Sequence, residues 1–223
     1  LTGARAGVFA RKPAPIQVTM MQVGSSGMTA MDYAVADSNL LPEGAPTFFS
    51  EEVIRLPVGF LFEPVARETH AARMRGVADL TPAVAPRRRQ GPPVFGSLNL
   101  LAKSTPTVLA LWARVLNAVP GSRLLLKAAG LGDASVRRRL ADFFRAHGID
   151  EARLDLRAWT RGYAGHLATF DEIDVALDCF PYPGMTTTLE ALLMGVPVVT
   201  RRGTSFVSRL GETIARTVGH PEW

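Results

Sequence analysis

The chain has 223 residues, 47% of them apolar and 20% charged, with a formal net charge of +5. That length and balance suit a globular protein with one large core or two smaller ones, and no apolar run approaches the roughly 20 residues that a bilayer crossing needs. The one cysteine, Cys179, excludes an internal disulfide framework and fits a reducing compartment.

In chain order, APIQVTMMQV at 14–23 predicts a buried strand that runs into the Gly-Ser loop GSSG at 24–27. MDYAVAD at 31–37 predicts a second strand, and SEEVIRLP at 50–57 a short amphipathic piece closed by Pro57. The stretch 81–93, TPAVAPRRRQGPP, is rich in Pro and Arg without periodicity and reads as an exposed linker. Beyond it the pattern alternates. Strands are predicted at 93–99, 122–128, 153–159, 174–180 and 196–201, and helices at 105–119, 135–149, 163–173 and 186–195. Pro106 suits a first helical turn, and Gly148 and Gly195 suit helix ends.

Strands separated by helices imply an α/β fold, with a parallel sheet covered on both faces in a Rossmann-like unit. No GxGxxG follows any of these strands, so the usual dinucleotide fingerprint is absent. The basic residues are scattered; Arg87-Arg88-Arg89 and Arg137-Arg138-Arg139 carry no interleaved aromatics and read as solvated faces, not as a nucleic-acid surface. Leu1-Thr2-Gly3 is no basic-then-apolar leader, so the expected location is the cytoplasm, with no membrane partner.

The chemistry is concentrated in FPYPGMTTTLEALLMGVPVVT, 180–200. In an open parallel sheet, ligands sit where strand ends lead into helix N-termini. Gly184 permits close backbone approach there, and Thr186, Thr187 and Thr188 supply hydroxyls and N–H groups at a helix start whose dipole favours an anion. Such a loop suits phosphate. Asn99 and Lys103 follow the 93–99 strand, and the lysine would neutralise a second phosphate charge. Glu190 is positioned to accept hydrogen bonds from a ribose diol, so a nucleoside diphosphate fits the set. Taken alone, the Thr run is an ordinary helix cap, His166 an ordinary core-edge histidine and Glu190 an ordinary first-turn carboxylate.

The same motif, together with GTSFVSRLG at 203–211, IDVALDCF at 173–180 with His166 upstream, GARAGVFARKPAPIQV at 3–18 and GSSGMTAMDYAVAD at 24–37, resembles the catalytic region of the O-linked N-acetylglucosamine transferases, a GT41-type family. The similarity runs in order through nearly the whole chain and is weakest between 58 and 92. It implies a GT-B glycosyltransferase with two Rossmann-like domains, each expected to be incomplete in this chain. Residues 1–80 would be the rear part of the acceptor-side domain, 81–92 the linker and 93–223 the donor-binding domain. Members are inverting and metal-independent, with no cofactor, and move a sugar, here expected to be N-acetylglucosamine, from a UDP-sugar to Ser or Thr hydroxyls of a protein acceptor. Tetratricopeptide repeats would lie upstream in a full-length protein.

By the same resemblance Lys103 contacts the diphosphate and stabilises the leaving group, His166 lies against the nucleotide, and Thr186 and Thr187 hold phosphate. Glu190 falls where the family has an acidic ribose ligand, and Gly24 and Gly27 bound a loop facing the sugar. Departures put the donor in question: Met185 stands where the family commonly has His, Leu100 where it often has Gln, and QVGSSG at 22–27 is one residue short. The family's proposed base residues fall before Leu1 in the pattern, so the catalytic base is unassigned. Two alternatives stay open: a transferase using UDP-glucose or another donor or acceptor, and a nucleotide-binding or interaction module without catalysis.

Overall fold

The three leucines of Arg123–Lys127 face both ways. Leu124 and Leu126 enter one apolar cluster with Phe95, Trp112, Leu116 and Phe144, while Leu125 enters a second with Leu167, Phe170, Ala191 and Val198. A strand with period-two side chains and no wet face belongs in the middle of a parallel sheet. The computed structural model describes residues 5–20, 24–44, 48–57, 91–160 and 162–223. Among them two sheets form, both parallel.

In the first sheet β1 (Val18–Met20), β2 (Tyr33–Asp37) and β3 (Glu52–Leu56) lie in that order. The amphipathic piece expected at 50–57 is thus a strand, paired from Tyr33↔Glu52 to Asp37↔Leu56. In the second sheet β4 (Val94–Ser97), β5 (Arg123–Lys127), β6 (Leu154–Arg157), β7 (Val175–Leu177) and β8 (Val198–Val199) take the spatial order β6-β5-β4-β7-β8. The expected linker at 81–92 lies outside the described residues apart from Gly91 and Pro92, as does the Arg87-Arg88-Arg89 run.

Following α1 (Ala6–Ala10), helix α2 (Pro106–Ala118) starts on Thr105, whose side chain accepts from the Val108 N–H, and buries Val108, Leu109, Trp112 and Leu116. Helix α3 (Ala134–Ala146) is capped by Asp133 and turns at Gly148, where φ is +80°. Arg138 and Arg139 on α3 face solvent. The helix expected at 163–173 divides into α4 (Tyr163–Leu167) and a tighter 3-10 turn, Ala168–Glu172, which brings Phe170 into the core. Helix α5 (Thr186–Leu193) ends before Gly195 at φ +75°, and α6 (Leu210–Thr217) follows the 3-10 turn Val207–Arg209. Among the described residues no helix is long and apolar enough to cross a membrane.

The two sheets meet at α6. Leu40 packs with Leu210 and Ile214, Phe49 sets its ring edge-on to Phe206 at 5.4 Å between centroids, and buried Arg209 donates to the Leu40 carbonyl at 3.0 Å. Within the first sheet, the start of β3 is tied to the 24–27 loop by buried Glu51. Its carboxylate accepts from the Ser26 N–H at 2.7 Å and the Ser25 hydroxyl at 2.7 Å. Burial raises the Glu51 pKa, but the donors from Ser26 and Ser25 outweigh it and bring the value to about 2.

Leu40→Ala is expected to cost about 2–5 kcal/mol in urea unfolding, the range for a buried leucine; a loss under about 1 kcal/mol would contradict the packing between sheets. Because the Glu51 pKa is depressed on folding, its contribution is present above the ordinary carboxylate range near pH 4.5 and is lost as pH falls toward 2. Glu51→Gln should therefore cost on the order of 2–3 kcal/mol at neutral pH, and the gap from the parent should close on acidification to pH 2. A gap independent of pH would contradict this.

Candidate functional site

β4 and β7 are neighbours, paired at Phe95↔Val175 and Gly96↔Ala176, yet β4 leads on to β5 on one side and β7 leads on to β8 on the other. Connections that leave adjacent parallel strands in opposite directions open a crevice at the strands' carboxyl ends. Asn99 and Lys103 leave β4 into that crevice, the lysine on the 3-10 turn Leu101–Lys103, and the 180–188 loop leaves β7 into it. Gly96 is needed where the strands enter: a Cβ there would come within 2.3 Å of the Ile173 side chain.

The loop is organised by a residue that the sequence reading missed, Asp178, which directly follows β7 and is 9% exposed. Its Oδ1 accepts from the Cys179 N–H at 2.8 Å, the Gly184 N–H at 2.7 Å and the Asn99 side-chain amide at 3.3 Å, while Oδ2 accepts from the Thr200 hydroxyl at 2.9 Å. Burial raises its pKa, opposed by those N–H and hydroxyl donors. The sequence did carry a signal: a carboxylate closing the apolar run DVALDCF just before a Pro-Gly loop. Asn99 is brought to the crevice, but its amide N–H₂ is turned to Asp178.

Half-buried Lys103 donates from Nζ to the Pro183 carbonyl at 2.8 Å and lies 4.1 Å from the centre of the Tyr182 ring. Burial lowers its pKa, with the Asp178 charge acting in the opposite direction. The peptide between Pro183 and Gly184 is thus gripped on both sides, its oxygen by Lys103 and its N–H by Asp178. Gly184 is fixed by space: a Cβ would lie 2.8 Å from the Thr188 hydroxyl and 3.0 Å from the Asn99 oxygen.

Helix α5 follows at once, and Met185 at its N-cap position makes no side-chain cap. The first-turn N–H groups are therefore left for another acceptor. Thr186 is exposed, Thr187 half-buried and Thr188 buried with its hydroxyl turned toward Gly184. Met185 itself packs against the Leu40, Leu210 and Ile214 cluster, an apolar setting that suits the thioether. Exposed Leu100 lies on the turn before Lys103.

His166 on α4 and Glu190 on α5 meet at 3.0 Å between Nε2 and Oε2, both largely buried, and the His166 Nδ1 is buried without a partner. The Tyr163 ring stacks over the imidazole at 6.3 Å, and its phenol is pushed up to about 12, first by burial and then by the Glu190 charge. Lys127, also missed, fastens α4 to the sheet: from the end of β5 its buried ammonium donates to the Thr169 hydroxyl at 2.7 Å and the Gly165 carbonyl at 3.2 Å. Gly24 and Gly27 stand apart in the loop after β1, held by Glu51; among the described residues no hydrogen bond joins them to the crevice. Cys179 is 1% exposed and burial pushes its thiol up to about 11, which leaves it an inert core group. Among the described residues no three His, Cys, Asp or Glu side chains group closely enough to hold a metal ion.

The model of glycosyl transferase family 41 matches residues 1–64 and 83–223. The chain is 38% identical over 214 residues to a probable UDP-N-acetylglucosamine–peptide N-acetylglucosaminyltransferase, SPINDLY, of Petunia hybrida, and 37% identical over 214 residues to its namesake in Arabidopsis thaliana. Each alignment takes in 96% of this chain but 22% of the relative, so the chain spans about a fifth of the length of these curated relatives. Among solved structures, a variant of the O-GlcNAc transferase of Thermobaculum terrenum superposes with a TM-score of 0.80 at 39% identity, covering 98% of this chain and 39% of that one. The parallel α/β fold is that of a GT-B glycosyltransferase, and the chain belongs to glycosyl transferase family 41.

Proposed function

We propose that the protein is a UDP-sugar-dependent protein O-glycosyltransferase that moves N-acetylglucosamine to Ser or Thr hydroxyls with inversion and without a metal. One observation carries this reading: at the crevice between β4 and β7, an ammonium (Lys103) and an uncapped helix N-terminus (Thr186–Thr188) converge on the same loop. Each favours an anion, and together they suit the two charges of a diphosphate. The names of the family relatives, which specify UDP-N-acetylglucosamine and a peptide acceptor, supply the sugar and the acceptor class.

In the reaction an acceptor hydroxyl attacks the anomeric carbon and gives up its proton to a general base, the bond from that carbon to the diphosphate oxygen breaks, and UDP leaves with the negative charge. Lys103, with the N–H groups and hydroxyls of Thr186 and Thr187, stabilises that charge as it develops, which is the work a metal performs in other transferases. His166 and Glu190, already joined, take the nucleoside side, with the imidazole against the nucleotide and the carboxylate toward the ribose. Asn99 and Thr188 support the crevice from beneath, and the family resemblance assigns the Gly24–Gly27 loop of the 1–80 portion to the sugar carried by the 93–223 donor portion. The cytoplasm, where sugar nucleotides are abundant and Cys179 stays reduced, is the fitting compartment.

Met185 in its apolar cluster favours a second reading within the same chemistry, a different sugar on the donor, because a thioether cannot replace the hydrogen bonds of an imidazole. Sugar transfer to a peptide or protein acceptor, assayed in excess chelator with a panel of sugar nucleotides, separates the two. Transfer from UDP-N-acetylglucosamine giving the inverted anomer is expected, with Lys103→Ala lowering kcat/KM by about 10²–10³-fold and Thr187→Ala by roughly tenfold. Transfer only from another donor would overturn the sugar assignment, and loss of transfer in chelator that added metal restores would overturn the metal-free mechanism.

A further inference from the structure

Lys103 lies on a three-residue 3-10 turn after β4, whereas the start of α5 lies after β7, so the two reach the crevice on separate chain segments. What joins them is one peptide group, Pro183–Gly184: its carbonyl receives the Lys103 ammonium at 2.8 Å and its N–H is received by Asp178 at 2.7 Å. Asp178 also draws in the Asn99 amide from the β4 side at 3.3 Å and the Thr200 hydroxyl from beyond β8 at 2.9 Å. A buried group whose acceptor sites are filled from three chain segments is fixed in position, and it fixes in turn whatever it holds. We propose that Asp178 is a positioning residue of the donor site: by holding the Gly184 N–H it turns the Pro183 carbonyl toward Lys103, so that the lysine and the helix N-terminus meet a diphosphate as one preorganised unit. This inference rests on the reading of the crevice as the diphosphate site.

The role belongs to the carboxyl group as a hydrogen-bond acceptor, not as a charge. As a bare charge beside an anion site, Asp178 would oppose diphosphate binding, and any substitution that neutralised it would tighten UDP. As a positioning group it has the opposite signature. Asp178→Asn keeps an oxygen for the Gly184 N–H and can donate to Thr200, whereas Asp178→Ala leaves the Pro183–Gly184 peptide free to turn.

The test is UDP affinity by calorimetry on the protein and on a double-mutant cycle with Lys103→Ala. UDP affinity within threefold of the parent is expected for Asp178→Asn, and a loss of about tenfold or more for Asp178→Ala. In the Lys103→Ala background the Asp178→Ala loss should shrink below about threefold, because the group that Asp178 positions is gone. A general loosening of the fold would instead reduce affinity by the same factor in both backgrounds, which overturns the proposal, as does tighter UDP binding by both Asp178 variants. If Asp178→Ala does not fold, the cycle is read on Thr200→Val, which frees Oδ2: a loss of a few fold that vanishes without Lys103 supports the proposal, and an unchanged or additive loss overturns it. No UDP binding by the unaltered protein would overturn the diphosphate reading, a result distinct from additive losses in a protein that binds.

Discussion

The reversal of strand order between β4 and β7 is the constraint on which the site depends. Parallel strands must be joined by crossovers, and a crossover to the left of one strand and to the right of its neighbour leaves the space between their carboxyl ends unfilled. The covering helices do not close it, since α2 and α3 pack over one face with Leu124 and Leu126, and α4 and α5 over the other with Leu125. The crevice is therefore a product of topology, and the residues at its mouth determine what it binds.

Those residues balance burial against charge. Lys103 gives up part of its hydration and regains a carbonyl, an aromatic face and the proximity of Asp178. Asp178 gives up nearly all of its hydration and regains four donors. A helix N-terminus equivalent to about half a positive charge completes the arrangement and needs no side chain of its own. Beside it the His166 Nε2 and Glu190 meet while the His166 Nδ1 stays buried without a partner, and Lys127 holds the helix that carries the histidine.

Much of the second sheet could be read in the sequence because its signals are local: apolar runs of strand length, helical spacing, Pro106 in one first helical turn, and glycine at helix ends. The loop proposed to take the anion was legible as a connection for the same reason, since Pro-Gly followed by three threonines sits directly between a strand and a helix. What escaped depended on partners far along the chain. Asp178 acquires its meaning from Asn99, Gly184 and Thr200, Lys127 from Gly165 and Thr169, and Glu51 from Ser25 and Ser26. β3 was missed as a strand because SEEVIRLP lacks a clean alternation, and pairing with β2 decides its conformation. The 168–172 turn looked helical because three- and four-residue spacings are hard to separate over five residues.

The central claim is that the β4–β7 crevice receives a diphosphate at the N-terminus of α5. The most direct measurement is the shift of backbone amide resonances on titration with UDP in the presence of chelator. The account predicts that the amides of Thr186, Thr187 and Thr188 move most, together with those around Lys103. Large shifts confined to another surface, such as the groove lined by Leu111, Arg114 and Phe143, with the three threonine amides unmoved, would contradict it.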